Sequence, residues 1–173
     1  CSVANGGNLV TPHLVSKIVD DDGNVISSFG MENIRQVVSK DVCKEISEVL
    51  EEGVSGDGGA KNAYVAGYKV AAKTGTSQKR DVRDSDEVVG STVAYVPSDD
   101  PQIAILIMVD SPQLESRYGS VVAAPYVANT LKEILPTLGV ERDESKISEQ
   151  MKTVLITSYS GHDVNEAKRN IEE

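Results

Sequence analysis

The sequence contains few of the residues that most often mark a site. Its 173 residues include no tryptophan, one phenylalanine and two histidines that lie far apart, so nothing suggests a zinc centre or a catalytic histidine. No apolar run approaches the length of a membrane-spanning helix. The cysteines, Cys1 and Cys43, have no metal-ligand or redox spacing, and Cys43 is predicted to be a buried structural thiol. We therefore expect no cofactor and no metal.

Basic residues are also scarce relative to acidic ones. The chain has 17 Lys and Arg against 27 Asp and Glu, which gives a net charge of -10. This balance argues against a nucleic-acid surface, so an anionic substrate would have to be met by local cations such as Lys69, Lys73 and Lys79. A hydrophobic content of 39% is enough for a real core, so we expect a soluble globular chain.

Hydrophobic periodicity and turn residues predict a mixed α/β (α+β) fold, an antiparallel sheet packed with helices. The predicted elements are a hairpin of residues 14–19 and 25–29 around an acidic turn, a helix capped by Ser39 and stopped by Gly53, strands at 68–75, 90–96 and 103–109, and a helix at 124–135 between Pro125 and Pro136. The continuous apolar run Ile103–Val109 is typical of a central strand. The last helix should lie across the sheet.

The stretch Gly67–Gln78 contains the most informative residues. Tyr68, Val70 and Ala72 alternate with Lys69 and Ala71, which indicates a strand with one buried face. The pattern then breaks into Lys-Thr-Gly-Thr at residues 73–76, where an ammonium, two hydroxyls and a residue without a Cβ occur together. This combination suits an extended substrate that carries a carboxylate.

Two chemistries could use this stretch. A phosphate-binding loop needs glycine where Ala72 stands, and Tyr-Lys-Val-Ala-Ala favours an extended strand, so a nucleotide-binding protein is the weaker alternative. The other candidate is the Lys-Thr-Gly element that accompanies Ser-x-x-Lys and Ser-x-Asn in penicillin-binding proteins and β-lactamases. The tripeptide alone is weak support, because it also occurs by chance.

The order of parts resembles the C-terminal half of the transpeptidase domain of class B penicillin-binding proteins, which are peptidoglycan D,D-transpeptidases. The resemblance covers roughly residues 1–136. It rests on Asn5-Gly6-Gly7 with Thr11-Pro12-His13, the helix ending near Gly53, Val70–Thr76, Thr92–Pro97 and Val122–Pro125. Ala72 and Ser77 depart from the residues usual in that family, glycine and alanine, and neither supplies a functional atom.

The resemblance implies roles for the four residues of the predicted site. Lys73 would carry the charge near the nucleophile and attract the terminal carboxylate of the substrate. Thr74 and Thr76 would hydrogen-bond substrate, the backbone N–H of Thr76 would be one of two oxyanion-hole donors, and Gly75 would let the substrate lie against the strand.

Two further motifs of the family do not occur in the sequence. There is no Ser-x-x-Lys and no Ser-x-Asn among the 173 residues, so we expect the catalytic serine and its lysine to lie outside this chain, which would be a fragment of a longer enzyme. Residues 137–151 are a predicted linker. Residues 152–173 resemble the first half of a PASTA domain, with an ordinary amphipathic C-terminal helix as the alternative.

Three classes of function remain open at this point. The first is an enzyme that cross-links stem peptides ending in D-Ala-D-Ala by serine acyl transfer and is acylated by β-lactam antibiotics. The second is a β-lactam or wall-peptide sensor of the same fold, and the third a serine β-lactamase. For the first we expect a parent protein anchored in the bacterial membrane with this part on the extracytoplasmic face. The isolated chain would be inactive and could self-associate through an uncovered apolar face of its sheet, expected near Val70 and Ala72.

Overall fold

The computed structural model describes residues 1–30, 32–79, 87–143 and 145. Its centre is a three-stranded antiparallel sheet in which β5 (Ala71–Gln78), β6 (Val88–Val96) and β7 (Ile103–Asp110) follow one another in space as they do in sequence. The three predicted antiparallel strands are thereby confirmed. The first of them begins at Ala71 rather than Tyr68 and continues to Gln78, since the eight residues from 71 to 78 pair with β6 without a shift.

Two small ribbons precede the sheet. β1 (Asn8–Val10) pairs with β4 (Asn33–Gln36), and β2 (Lys17–Val19) pairs with β3 (Val25–Ser28) as an antiparallel hairpin. The predicted hairpin is therefore confirmed. Asp20 organises its turn, because its carboxylate accepts hydrogen bonds from the backbone N–H groups of Asp22 and Asn24.

Helix α1 (Lys40–Ser55) begins where the sequence predicts. Ser39 is its N-cap and accepts a hydrogen bond from the backbone N–H of Val42. The predicted stop at Gly53 is wrong, because the helix continues to Ser55 and the terminating residue is Gly56, whose N–H bonds to the Glu52 carbonyl. A single glycine costs a helix only about 1 kcal/mol relative to alanine, too little to end one that is otherwise well packed.

The C-terminal helices are α2 (Gly119–Val122) and α3 (Ala124–Thr137). The sequence predicts α3 with proline near its first turn, which is confirmed, but Pro136 lies inside the last turn and not beyond it. α3 packs across β6 and β7 as expected. Its stripe of fully buried residues, Val127, Leu131 and Leu135, meets Ala72, Ala94 and Val96 of the sheet in the main core.

The opposite face of the sheet is covered only in part. Ala71 was predicted to point away from the core, but it is fully buried because α1 packs on this face of the sheet. The hydroxyl oxygen of Ser47 in α1 lies 2.8 Å from that of Tyr95, which is the cross-strand partner of Ala71. Farther along, Val93, Leu106 and Met108 are 44%, 58% and 62% exposed.

The position of β7 corrects a second expectation. Ile103–Val109 was predicted to be a central strand, yet β6 is central and β7 lies at an edge of the described sheet. A strand with apolar residues on both faces indicates cover on both faces, and here only the face towards α3 has it.

Candidate active site

The predicted site residues lie together in the middle of β5, a strand with a free edge in the described part of the chain. The backbone N–H of Lys79 donates to the Glu87 carbonyl at 3.1 Å, so Lys79 and Glu87 are a hydrogen-bonded pair of the ladder between β5 and β6. Every second residue back along β5 from Lys79 then bonds to β6 in the same way, and the residues between them do not. Hydrogen-bonded pairs alternate along an antiparallel ladder, and the register from Ala71 to Gln78 is unbroken. The backbone N–H and C=O groups of Thr74 and Thr76 therefore point to the free edge, where an added strand could bond to them.

Lys73 brings a positive charge to the same edge. Its side chain is exposed and its Nζ donates to the carbonyl oxygen of Thr74 at 2.8 Å, so the ammonium turns back towards the outward-facing backbone. Within the described residues it makes no ion pair with a carboxylate. An ammonium that is not neutralised in this way can attract an anionic group of a ligand lying along β5.

Gly75 leaves space on the face of the strand that carries Lys73. A Cβ at this position would lie 2.8 Å from the hydroxyl oxygen of Ser91, its cross-strand partner, so that hydroxyl would have to rotate. Without a side chain here, a ligand can approach the backbone between Thr74 and Thr76.

Thr76 connects the strand to the C-terminal helices. Its hydroxyl oxygen accepts a hydrogen bond from the backbone N–H of Gly119, at 3.1 Å, at the start of α2. Next to it opens a pocket of about 260 Å³ whose lining consists of Thr76, Val88 and residues 115–118.

A charged cluster beyond the site links the ends of the three strands: Lys79 follows β5, Glu87 precedes β6 and Asp110 is the last residue of β7. Lys79 Nζ lies 2.5 Å from Asp110 Oδ1 and 3.2 Å from Glu87 Oε2, which also accepts a hydrogen bond from the Ser111 hydroxyl. The hydrogen bonds to Asp110 and Glu87 raise the pKa of Lys79. The contact with Lys79 lowers the pKa of Asp110, and the Ser111 hydroxyl, followed by Lys79, lowers that of Glu87.

Sequence reasoning placed the four candidate residues on one strand, which is confirmed, but missed the residues that contact them from behind. Thr92 and Gly119 contact the strand from β6 and α2, and neither was predicted to have a role. Gly119 precedes the run Ser120–Pro125, which marks a helix start, but nothing in the sequence indicates which strand that start would touch. No group of His, Cys, Asp or Glu in the described ranges is arranged to hold a metal ion.

An antiparallel sheet with helices on both faces and a Lys-Thr-Gly-Thr edge strand is the arrangement that the resemblance of the sequence predicts. The family described as penicillin binding protein transpeptidase domain matches residues 2–132. The chain belongs to that family, and the expected fold class is confirmed.

Individual relatives agree with this assignment. Stage V sporulation protein D of Bacillus subtilis is 31% identical over 95% of this chain and 27% of its own length. The D,D-transpeptidase domain of a peptidoglycan glycosyltransferase from Eggerthella lenta is 26% identical with a TM-score of 0.67, over 81% of this chain and 31% of that one. Penicillin-binding protein 3 of Mycobacterium tuberculosis, solved with ampicillin, is 25% identical with a TM-score of 0.71, over 82% of this chain and 34% of that one. The chain thus spans about a quarter to a third of these proteins.

Proposed function

We propose that this chain is one wall of the active site of a peptidoglycan D,D-transpeptidase, which cross-links stem peptides by serine acyl transfer with release of terminal D-alanine. The observation that carries the proposal is the free edge of β5, where the Lys73 ammonium and the outward N–H and C=O groups of Thr74 and Thr76 face the same side. A peptide ending in D-Ala-D-Ala can add to this edge as a strand, with its carboxylate near Lys73.

The edge also suits the stabilisation of an acyl-transfer transition state. In the proposed mechanism a serine from outside this chain attacks the scissile carbonyl, and the oxygen that becomes negative accepts a hydrogen bond from the backbone N–H of Thr76. A fixed N–H donor of this kind typically contributes about 10²–10³ in rate. Thr74 would hydrogen-bond the substrate, and Gly75 leaves room for its backbone. A β-lactam would occupy the same edge and acylate the same serine.

The setting of the longer protein follows from the same proposal. Substrates of this kind lie outside the cytoplasm, so we place the working site on the extracytoplasmic face of the membrane, in a parent that is anchored there. In the part of the chain that the structure describes, no helix is both long and apolar enough to cross a membrane. Residues 137–151 remain a proposed linker and 152–173 a proposed PASTA-like segment; of these, 137–143 and 145 are described, and 144 and 146–173 lie outside the described residues.

The test uses the full-length parent that contains this chain. Incubation with a fluorescent penicillin should give one covalent adduct, and incubation with a stem-peptide substrate should release D-alanine and form cross-linked dimers. A sensor of the same fold, the second candidate, would form the adduct but release no D-alanine. A parent that neither binds penicillin covalently nor releases D-alanine would contradict the proposal.

A further inference from the structure

The backbone of Gly119 lies directly against the paired strands β5 and β6. A Cβ on Gly119 would come within 2.4 Å of the Gly75 carbonyl oxygen and 2.2 Å of the Ser91 carbonyl oxygen. Gly75 and Ser91 are cross-strand partners, so the start of α2 covers the rung of the ladder next to Thr76. Any side chain at 119 would push α2 away from the sheet or distort this rung.

Two threonines hold Gly119 in this position. Thr76 of β5 accepts from its N–H at 3.1 Å, and the hydroxyl of Thr92 in β6 donates to its C=O at 3.1 Å. Thr92 is fully buried, so its hydrogen bond is not open to replacement by water. On the other side of α2, the Asn62 side chain donates to the Ser120 carbonyl at 2.7 Å.

These contacts matter for the edge strand because β5 has a partner on one side only within the described sheet. An edge strand whose outward N–H groups serve as donors must be held in place by the groups behind it. Thr76 contributes such an outward N–H, and its side chain on the α2 face is bonded to Gly119. A shift of α2 would therefore move the residue whose N–H faces the ligand.

We propose that Thr92 and Gly119 are positioning residues for the acyl-transfer reaction: through the hydroxyl of Thr76 they fix the backbone of β5 where its N–H meets the developing negative charge. The inference rests on the proposed function. It assigns to Thr76 a second role, in which its hydroxyl oxygen is an anchor for α2 as well as a group near the ligand. Neither Thr92 nor Gly119 touches the reacting atoms.

The test measures acylation of the full-length parent by a fluorescent penicillin, separated into the dissociation constant of the first complex and the rate constant of the covalent step. Thr92→Val keeps the shape of the side chain and removes the donor to Gly119. We expect the covalent rate constant to fall about tenfold, a fraction of the loss of an entire donor, with the dissociation constant changed less than about twofold. Thr92→Ser, which keeps the hydroxyl, should restore most of the rate.

The matched control is Ser98→Ala. Ser98 is also buried. It follows the end of β6 that is farther from Thr76, and its hydroxyl donates to Glu51 of α1. The variant Ser98→Ala should lower the melting temperature as Thr92→Val does, but it should leave the rate constant of the covalent step unchanged. Equal rate losses in the two variants, or no loss in Thr92→Val, would overturn the inference.

A double-mutant cycle makes the test specific to Gly119. If Thr76 and Thr92 act through the same residue, Gly119, then Thr76→Val combined with Thr92→Val should slow acylation little more than the worse single change. Multiplying losses would mean that the two threonines act independently, which contradicts the inference. Should Thr92→Val not fold, Thr76→Val combined with Gly119→Ala, each also measured alone, decides the same question.

These outcomes separate the inference from the function on which it rests. A parent that is not acylated at all removes the proposed function. A parent that is acylated normally and releases D-alanine, with Thr92→Val indistinguishable from it, retains the function and removes only the positioning role.

Discussion

The Nζ of Lys73 lies 2.8 Å from the carbonyl oxygen of Thr74, so the ammonium follows the free edge of β5. Because Thr74 C=O points away from β6, this contact places the charge beside the backbone groups that an added strand would use. The relationship places the charge of the candidate site beside the edge to which we propose that a peptide adds.

Replacement of this charge is the first prediction. In the full-length parent, Lys73→Ala should slow acylation by penicillin by about 10²-fold or more, the size of effect seen when one stabilising group is lost at a reacting centre. Stability should change by less than about 0.5 kcal/mol, because Lys73 is exposed. Stopped-flow acylation and thermal melts measure the two effects. Lys132→Ala, at an exposed lysine of α3, is the control, and the role fails if both variants react at the parent's rate.

The second prediction concerns the 173-residue chain by itself. Without Ser-x-x-Lys it contains no activated serine, so it should neither hydrolyse a β-lactam nor be acylated by one. Intact-mass spectrometry after incubation with a fluorescent penicillin gives the answer. A stable adduct on one serine would reveal a nucleophile that the sequence motifs do not identify.

The charged cluster behind the site gives a prediction about pH. Contact with Lys79 lowers the pKa of Asp110 in the folded state, so the pair stabilises the fold above the unfolded pKa of about 4, and this stabilisation is lost as the pH falls through the folded value. Asp110→Asn should therefore lower the melting temperature at pH 7, and the difference from the parent should shrink as the pH falls below the pKa of the unfolded carboxyl. Asp57→Asn, at an exposed aspartate outside the cluster, should show no such dependence. A difference that persists in acid would exclude the ion pair as its cause.

Local signals predicted much of the fold. Ser39 caps α1 and Pro125 lies at the start of α3, because each residue acts through its own backbone or side chain and needs no distant partner. The Lys-Thr-Gly-Thr stretch was likewise recognisable, since its four residues are adjacent in sequence. Their roles remain a prediction that was possible before any contact was known.

The errors arose where tertiary contacts decide. Ala71 is buried because α1 packs on its face of the sheet, a contact that strand periodicity cannot show. The same limit explains Thr92 and Gly119. They lie 16 and 43 residues from Thr76 in sequence, and only folding brings the three residues together.

The last prediction concerns the uncovered face of the sheet. The sequence predicted an open apolar surface, expected near Val70 and Ala72; both of these are buried, and the exposed residues are Val93, Leu106 and Met108 on the opposite face. They lie side by side on β6 and β7, and β7 is an edge strand of the described sheet that carries no charge between Ile103 and Val109. Such an edge and face together favour association of copies.

Self-association of the 173-residue chain should therefore rise with concentration in light scattering and sedimentation velocity. Leu106→Glu places a charge in the centre of this face and should give a monomer, since burial of an unpaired carboxylate in an apolar contact is costly. Val49→Glu makes the same change at a residue of α1 that is 71% exposed, and it should associate like the parent chain. If the unmodified chain is a monomer at all concentrations, this face has enough cover in solution, and the expectation of association is wrong.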